Sequence, residues 1–159
     1  NKNQKWYKKY YSIDHGVNSR LSEVQAAILN LKLKYINLFI KKRRVIAKKY
    51  ILGLKGLNIK LPVVNKKNFH VFHIFALSHP KRDIILKKIK SKNINLNIHY
   101  PYPIHTMKAY TSYVCDKCDC LSNTELSAKS IFSLPIYPGI KNSEVKNVIK
   151  NIRNIINKI

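Results

Sequence analysis

The sequence predicts one small α/β or α+β domain led by a long helix. Three observations carry that prediction. An apolar stripe at helical spacing runs from Ser22 to about Leu52, apolar or alternating strand-like runs then take turns with helical stretches, and the chain closes on "NSEVKNVIKNIRNIINKI", with its isoleucines and valines on one face. No internal repeat or linker divides the chain. At 159 residues it is long enough for one domain, which buries roughly 70% of its unfolded surface without staples.

The leading stripe is Leu21, Val24, Ala27, Ile28, Leu31, Tyr35, Leu38 and Phe39, read as a single helix. In "RLSEVQ", Ser22 can accept the free N–H of Gln25 while the Gln25 side chain reaches back, a capping box. Gly53 and Gly56 are its stop signals. After "LPVV" and a polar turn at "NKKN", the near-continuous apolar run "FHVFHIFAL" predicts a strand buried on both faces. On such a strand His70 and His73 point to opposite faces, so they cannot share a metal and read as structural. Pro80 opens the helix "PKRDIILKKIKSK", and "NINLNIHY" alternates as a half-buried strand. "NTELSAKSI" is a short helix with Asn123 or Thr124 as cap, Glu125 in its first turn and Leu126 and Ile131 as its apolar residues. "FSLPIYPGI" is an extended segment that Pro135 and Pro138 keep from pairing fully. The closing helix turns Val145, Val148, Ile149, Ile152, Ile155 and Ile156 inward.

Lysine and arginine number 31 against 7 acidic residues, a net charge of +24. Such an excess is the usual footprint of a nucleic-acid or anionic-membrane partner. Here it is nearly all lysine, travels with abundant Asn and Ile, and is spread over solvated helix faces, as codons rich in A and T would produce. No nucleic-acid-binding module accompanies it, so neither nucleic acid nor membrane is expected as a partner. No run approaches the roughly 20 apolar residues of a membrane span, and "NKNQKWYKKYY" does not resemble a signal peptide. The expectation is a cytoplasmic protein. Because the chain starts at Asn1 and its one methionine is Met107, it is also expected to be a fragment of a longer protein.

Cys115, Cys118 and Cys120 sit together in "VCDKCDC". Three thiolates fall one short of a structural zinc site, and His105 or Asp116 could supply the fourth ligand. The favoured reading is a surface-loop insertion with no metal.

Two stretches could carry chemistry. In "HGVNSRL", Asn18 and Arg20 stand just before a helix N-terminus, where an amide, a guanidinium and free backbone N–H groups suit an anion such as a phosphate. The competing reading is that Asn18 closes the loop and Arg20 pairs with a carboxylate. In "IHYPYPIH", Pro101 and Pro103 hold the chain extended so that Tyr100, Tyr102 and His105 project from a stiff loop, able to hydrogen-bond hydroxyls or stack on a flat ring, or else to pack the domain edge. No phosphate-binding glycine loop, H-E-x-x-H or close carboxylate pair is present.

Several stretches, in order, resemble one family: "GVNSRLSEVQAAIL", "KKRRVIAKKYILGL", "VFHIFAL", "HYPYPIHTMKAY" and "TELSAKSIFSLPIYPGI" are similar to the C-terminal part of the DegT/DnrJ-type sugar-nucleotide aminotransferases. The similarity runs from about Lys9 to the C-terminus. It implies the aspartate-aminotransferase fold (fold type I), with residues 1–20 an interface and active-site loop from the end of the large domain and 21–159 the small domain. It implies pyridoxal 5'-phosphate as cofactor, and a homodimer with shared active sites that moves an amino group from glutamate to a nucleotide-linked keto-sugar, for surface glycans such as O-antigen or for other deoxysugars.

By that resemblance Asn18 reaches the cofactor phosphate of the neighbouring subunit. Lys9, Tyr10 and Arg20 approach the sugar nucleotide, and His99, Tyr100 and His105 lie over the sugar. The histidine-tyrosine-proline loop is more like members that aminate C-3 of a dTDP-linked 3-keto-6-deoxyhexose than those acting at C-4. The Schiff-base lysine, in a Ser-x-x-x-x-Lys stretch, the aspartate at the pyridine nitrogen and the residue stacked on the ring all come from the large domain in this family. No residue here is therefore assigned a catalytic role, and a truncated, inactive dimerisation or regulatory partner is the alternative. Apolar surface is expected to lie uncovered where the large domain sits.

Overall fold

The computed structural model describes residues 9–113 and 121–159. The three cysteines and Asp116 lie outside the described residues, and so does the zinc alternative built on them. Helix α1 (Glu23–Leu33) begins with the expected capping box: Ser22 Oγ accepts from Gln25 N at 3.3 Å, and Gln25 Oε1 accepts from Ser22 N at 3.4 Å. The single long leading helix is corrected to two. At Tyr35 the amide bonds the carbonyl of Lys32, three residues back at 3.0 Å, and this tight turn separates α1 from α2 (Ile36–Leu54). α1 buries no residue, whereas α2 buries Ile46, Ala47, Tyr50 and Leu54 along one stripe.

"FHVFHIFAL" forms a strand only over β1 (Phe75–Ser78). Phe72 has φ 49, left-handed backbone, which turns the chain, and His70 Nδ1 accepts from Phe72 N at 3.0 Å within that turn. The strand also alternates, with Phe75 and Leu77 buried and Ala76 and Ser78 half-buried, instead of being buried on both faces. β1 pairs antiparallel with β2 (Ile131–Leu134), Phe75 opposite Leu134 and Leu77 opposite Phe132. Single bridges add Lys60 beside Ser78 and Asn97 beside Ser133, both antiparallel. "NINLNIHY" therefore keeps its alternation, with Ile94 buried and Asn95 and Asn97 exposed, but contributes one bridge and no full strand.

One face of this sheet carries Phe75, Leu77, Phe132 and Leu134 into the core. α3 (Arg82–Lys90), starting just after Pro80, brings Ile85 and Ile89; α5 (Asn142–Ile156) brings Val145, Val148, Ile152, Ile155 and Ile156 and packs against both α2 and α3. Ile149 sits at the rim, where Gly53 of α2 comes so close that a Cβ there would lie 2.7 Å from its Cδ1. The α5 N-terminus is held by Glu144, whose Oε2 accepts from Lys141 N at 2.7 Å. α4 (Ser122–Ser130) starts without a side-chain cap, contrary to the expectation for Asn123 or Thr124, and Leu126 is exposed.

Arginines tie the irregular segments to this frame. Arg43 donates to the carbonyls of His73 (3.0 Å) and Ile136 (2.8 Å), Arg44 to His70 (2.7 Å), and Arg153 to Gly53 (2.8 Å). The buried Tyr50 hydroxyl donates to the Pro135 carbonyl at 2.8 Å; burial, with Tyr137 and Glu144 nearby, pushes this phenol far above its ordinary value. His79, 5% exposed, accepts from Lys81 N at Nδ1 (3.0 Å), and burial, then Lys81, holds its pKa below the usual histidine value. Among the described residues no helix is long and apolar enough to cross a membrane.

Candidate functional site

Several of the residues singled out above lie on the N-terminal arm and on the loop that leaves the sheet at His99. After the Asn97 bridge the chain turns sharply at Tyr100, which has φ 58. This is left-handed backbone for a bulky residue directly before a proline, a combination disfavoured by roughly 1–2 kcal/mol. The expected straight "YPYP" rod is thus a corner followed by two short 3₁₀ turns, Ile104–Thr106 and Lys108–Tyr113.

The N-terminal arm lies across this loop. Ser12 O accepts from Ala109 N at 3.3 Å, the Tyr11 and Tyr102 rings meet edge to face at 5.4 Å, and His15 does the same with Tyr110 at 5.3 Å. Tyr10, itself left-handed at φ 65, has its ring 6.1 Å from that of Tyr100, and Lys9 Nζ stands 5.0 Å from the Tyr10 ring centre. Such ring pairs contribute about 0.5–1.5 kcal/mol each. Two tyrosines in a disfavoured conformation, ring against ring, make this the most strained contact of the arm, and strain of this kind clusters at ligand sites.

The two histidines of the loop are already partnered. His99 Nδ1 lies 3.0 Å from Ser133 Oγ, and His105 Nε2 lies 3.1 Å from Glu125 Oε1 on α4. Ser133 and Glu125 were not assigned these contacts from the sequence; Ser133 carries no spacing signal, because the register that sets it beside His99 is a tertiary fact. A cavity of about 320 Å³ opens beside His99, lined also by Arg43, His73, Asn95, Asn97 and Tyr137. Its lining offers hydrogen-bonding groups, as a hydroxylated ligand requires. A larger cavity of about 690 Å³ lies along α2, floored by Ile40, Val45 and Phe69, far from these residues in character.

Asn18 and Arg20 are not brought into the cluster. Both are exposed on the stretch before α1, beside Val17 at 95% exposure, and neither has a hydrogen bond or ion pair among the described residues. Arg20 therefore pairs with no carboxylate among the described residues. Lys9, Tyr10 and Tyr100 form one group, His99 a second, His105 a third, and Asn18 with Arg20 a fourth.

Pyridoxal phosphate, the cofactor implied by the resemblance, meets a partial fit. An unpartnered amide, an unpartnered guanidinium and the start of α1 suit its phosphate. The bare spacing Ser-x-x-x-x-Lys does occur, at Ser112 and Lys117, but it runs into the cysteine stretch and Lys117 lies outside the described residues. Among the described residues no group of three or more His, Cys, Asp or Glu side chains could hold a metal.

Known proteins resemble this chain in sequence and fold. The chain is 40% identical over 152 residues to dTDP-3-amino-3,4,6-trideoxy-alpha-D-glucose transaminase of Micromonospora megalomicea, covering 92% of this chain and 40% of that protein. It is 36% identical over 146 residues to dTDP-3-amino-3,6-dideoxy-alpha-D-galactopyranose transaminase of Aneurinibacillus thermoaerophilus, covering 92% of this chain and 39% of that one. It thus spans about two fifths of the length of these relatives. Among solved structures, DesV of S. venezuelae in complex with a ketimine intermediate superposes with a TM-score of 0.83 at 30% identity, over 99% of this chain and 41% of DesV. NtdA of Bacillus subtilis, with bound cofactor PMP, does so at 0.74 and 28% identity, over 98% and 36%. The family and these cofactor-bound forms point to pyridoxal phosphate as the cofactor. Residues 1–153 match one family model, and the chain belongs to the DegT/DnrJ/EryC1/StrS aminotransferase family.

Proposed function

We propose that this chain is the C-terminal part of a pyridoxal-phosphate-dependent aminotransferase that transfers an amino group from glutamate to C-3 of a dTDP-linked 3-keto-6-deoxyhexose. The observation that carries the reading is the identity, 40% and 36%, to two transaminases whose named products both bear the amino group at C-3 of a dTDP-linked deoxysugar. Residues 1–20 are then the loop that crosses to a second subunit of a homodimer, and 21–159 the small domain. The exposed, unpartnered side chains of Asn18 and Arg20 support a role toward a group outside this fold. Asn18 holds the cofactor phosphate of the neighbouring subunit, and Arg20 and Lys9 meet the anionic nucleotide.

When bound, pyridoxal phosphate supplies the electron sink for moving the amino group. This chain's residues bind and orient. Tyr10 and Tyr100 offer ring faces and hydroxyls to the sugar nucleotide, and His99 and His105 hydrogen-bond the hexose, His105 held in place by Glu125. The product serves surface-glycan assembly in the cytoplasm.

The test is made on the whole native polypeptide that contains this stretch, loaded with pyridoxal phosphate and supplied with glutamate and, separately, dTDP-linked 3-keto- and 4-keto-6-deoxyhexoses. Mass detection of a 3-amino product is expected. Amination of the 4-keto sugar alone would move the assignment to C-4, and no amination of either, with no upstream Schiff-base lysine in the native sequence, would leave a dimerisation or regulatory partner in its place.

A further inference from the structure

We infer that Ser133 is a positioning residue for His99: its hydroxyl donates to Nδ1, so that the ring is held as the Nε2–H tautomer and offers a hydrogen-bond donor beside the cavity at the loop. This rests on the proposed role of His99 toward the sugar and deepens it, since it fixes what His99 can recognise. The partner is an acceptor oxygen, a sugar carbonyl or hydroxyl, and not a hydroxyl proton seeking a base.

The geometry comes from the sheet. Ser133 and Asn97 face each other across an antiparallel bridge with two backbone bonds, Ser133 N to Asn97 O at 2.7 Å and Asn97 N to Ser133 O at 3.3 Å. Side chains opposite each other in such a pair share a face, and the residue two further along is the diagonal neighbour, within reach of a long side chain. That residue is His99, and its Nδ1 lies 3.0 Å from Ser133 Oγ. The contact therefore ties the ring to β2 at the last point before the chain turns at Tyr100.

Proton accounting selects the direction. Ser133 is 4% exposed, and its Oγ has no other hydrogen-bond partner among the described residues. If Nδ1–H donated to Oγ, the hydroxyl proton would have no protein acceptor among the described residues, a loss of the order that an unmade hydrogen bond carries. If the hydroxyl donates to the Nδ1 lone pair, its proton is satisfied and the ring proton must sit on Nε2. Nε2 has no protein partner among the described residues, and His99 lines the cavity with Asn95, Asn97 and Tyr137.

The experiment is a two-bond proton–nitrogen correlation of the histidine rings in the whole native polypeptide that contains this chain, labelled with ¹⁵N and held at about pH 8, above the ordinary histidine value. An H99Q variant identifies the His99 signals. The expected native spectrum has a pyridine-like Nδ1 and a pyrrole-like Nε2. Ser133→Ala is expected to relax the tautomer ratio roughly fivefold to tenfold, the range one hydrogen bond of ordinary net strength supplies, and Ser133→Thr, which keeps the hydroxyl, to restore it. A pyrrole-like Nδ1 in the native chain, or an unchanged ratio in folded Ser133→Ala, would overturn the inference. Should Ser133→Ala not fold, the native spectrum decides alone. No sugar nucleotide enters this measurement, so its failure leaves the amination reading standing, and failure of that reading leaves the tautomer result untouched.

Discussion

Helices α1 and α5 look alike in the sequence and behave oppositely in the fold. Both carry branched apolar residues at spacings of three and four. On α5 that stripe is the centre of the core, with Val145, Val148 and Ile152 no more than 3% exposed between α2, α3 and the sheet. On α1 and its approach, Leu21, Val24, Ile28 and Leu31 remain between 49% and 71% exposed, and no residue of the helix is buried. Periodicity identifies an apolar face; only a partner surface turns it into stability. α1 thus presents an uncovered apolar face, on a chain two fifths the length of the relatives it matches.

The contrast can be broken or sharpened by substitution. The largest effect is expected from Phe132→Ala in the sheet core, 0% exposed, at about 3–5 kcal/mol in urea or guanidinium unfolding. A loss below about 1 kcal/mol would mean that the sheet face is not the core. Gly53→Ala comes next. Its new Cβ meets Ile149 Cδ1 at 2.7 Å and Cγ2 at 2.8 Å, so overpacking of about 1–3 kcal/mol outweighs the helix-propensity gain, and adding Ile149→Ala should recover much of it. Failure of that rescue would separate α2 from α5. Tyr50→Phe removes the donor to the Pro135 carbonyl and is expected to lower stability by about 1 kcal/mol in the same assay.

His79 gives a pH-dependent version of the core's grip. Its folded pKa lies below the ordinary 6.5, so the unfolded chain takes up the proton first. The contribution of His79 is complete above about pH 6.5 and declines as the pH falls through that value. His79→Gln should flatten this part of the stability profile, and an unchanged profile would contradict the burial of the ring. The smallest effect belongs to α1: Ile28→Ala, 49% exposed at the native position, should change the stability of this chain by no more than about 0.5 kcal/mol. A loss comparable to that of Phe132→Ala would erase the difference between the helices.

What the sequence made legible follows the same division. Helix existence and the α1 capping box were readable because they depend on neighbours three and four apart, and so was the inward face of α5 at Val145, Val148 and Ile152. The break at Tyr35 and the turn at Phe72 were not, since neither residue is a glycine or proline and both conformations are imposed by the surroundings. At the candidate site, "IHYPYPIH" identified the loop, but the Tyr10–Tyr100 and Tyr11–Tyr102 pairs join residues 90 and 91 apart, and no local pattern encodes them. The pairing of Ser133 with His99 depends on strand register in the same way.

The arginines acquire a different meaning once the fold is known. Among 31 basic residues only five are arginine: Arg20, Arg43, Arg44, Arg82 and Arg153. The last four each donate to a backbone carbonyl distant in sequence, and Arg43 bridges two. A lysine offers one compact ammonium and cannot reproduce a planar fork. In a polypeptide otherwise written in lysine, guanidinium marks places where a distant carbonyl is tied to the frame. Arg20 is the odd member of the set: it is exposed and meets no carbonyl and no carboxylate among the described residues, so its planar fork stays open to solvent.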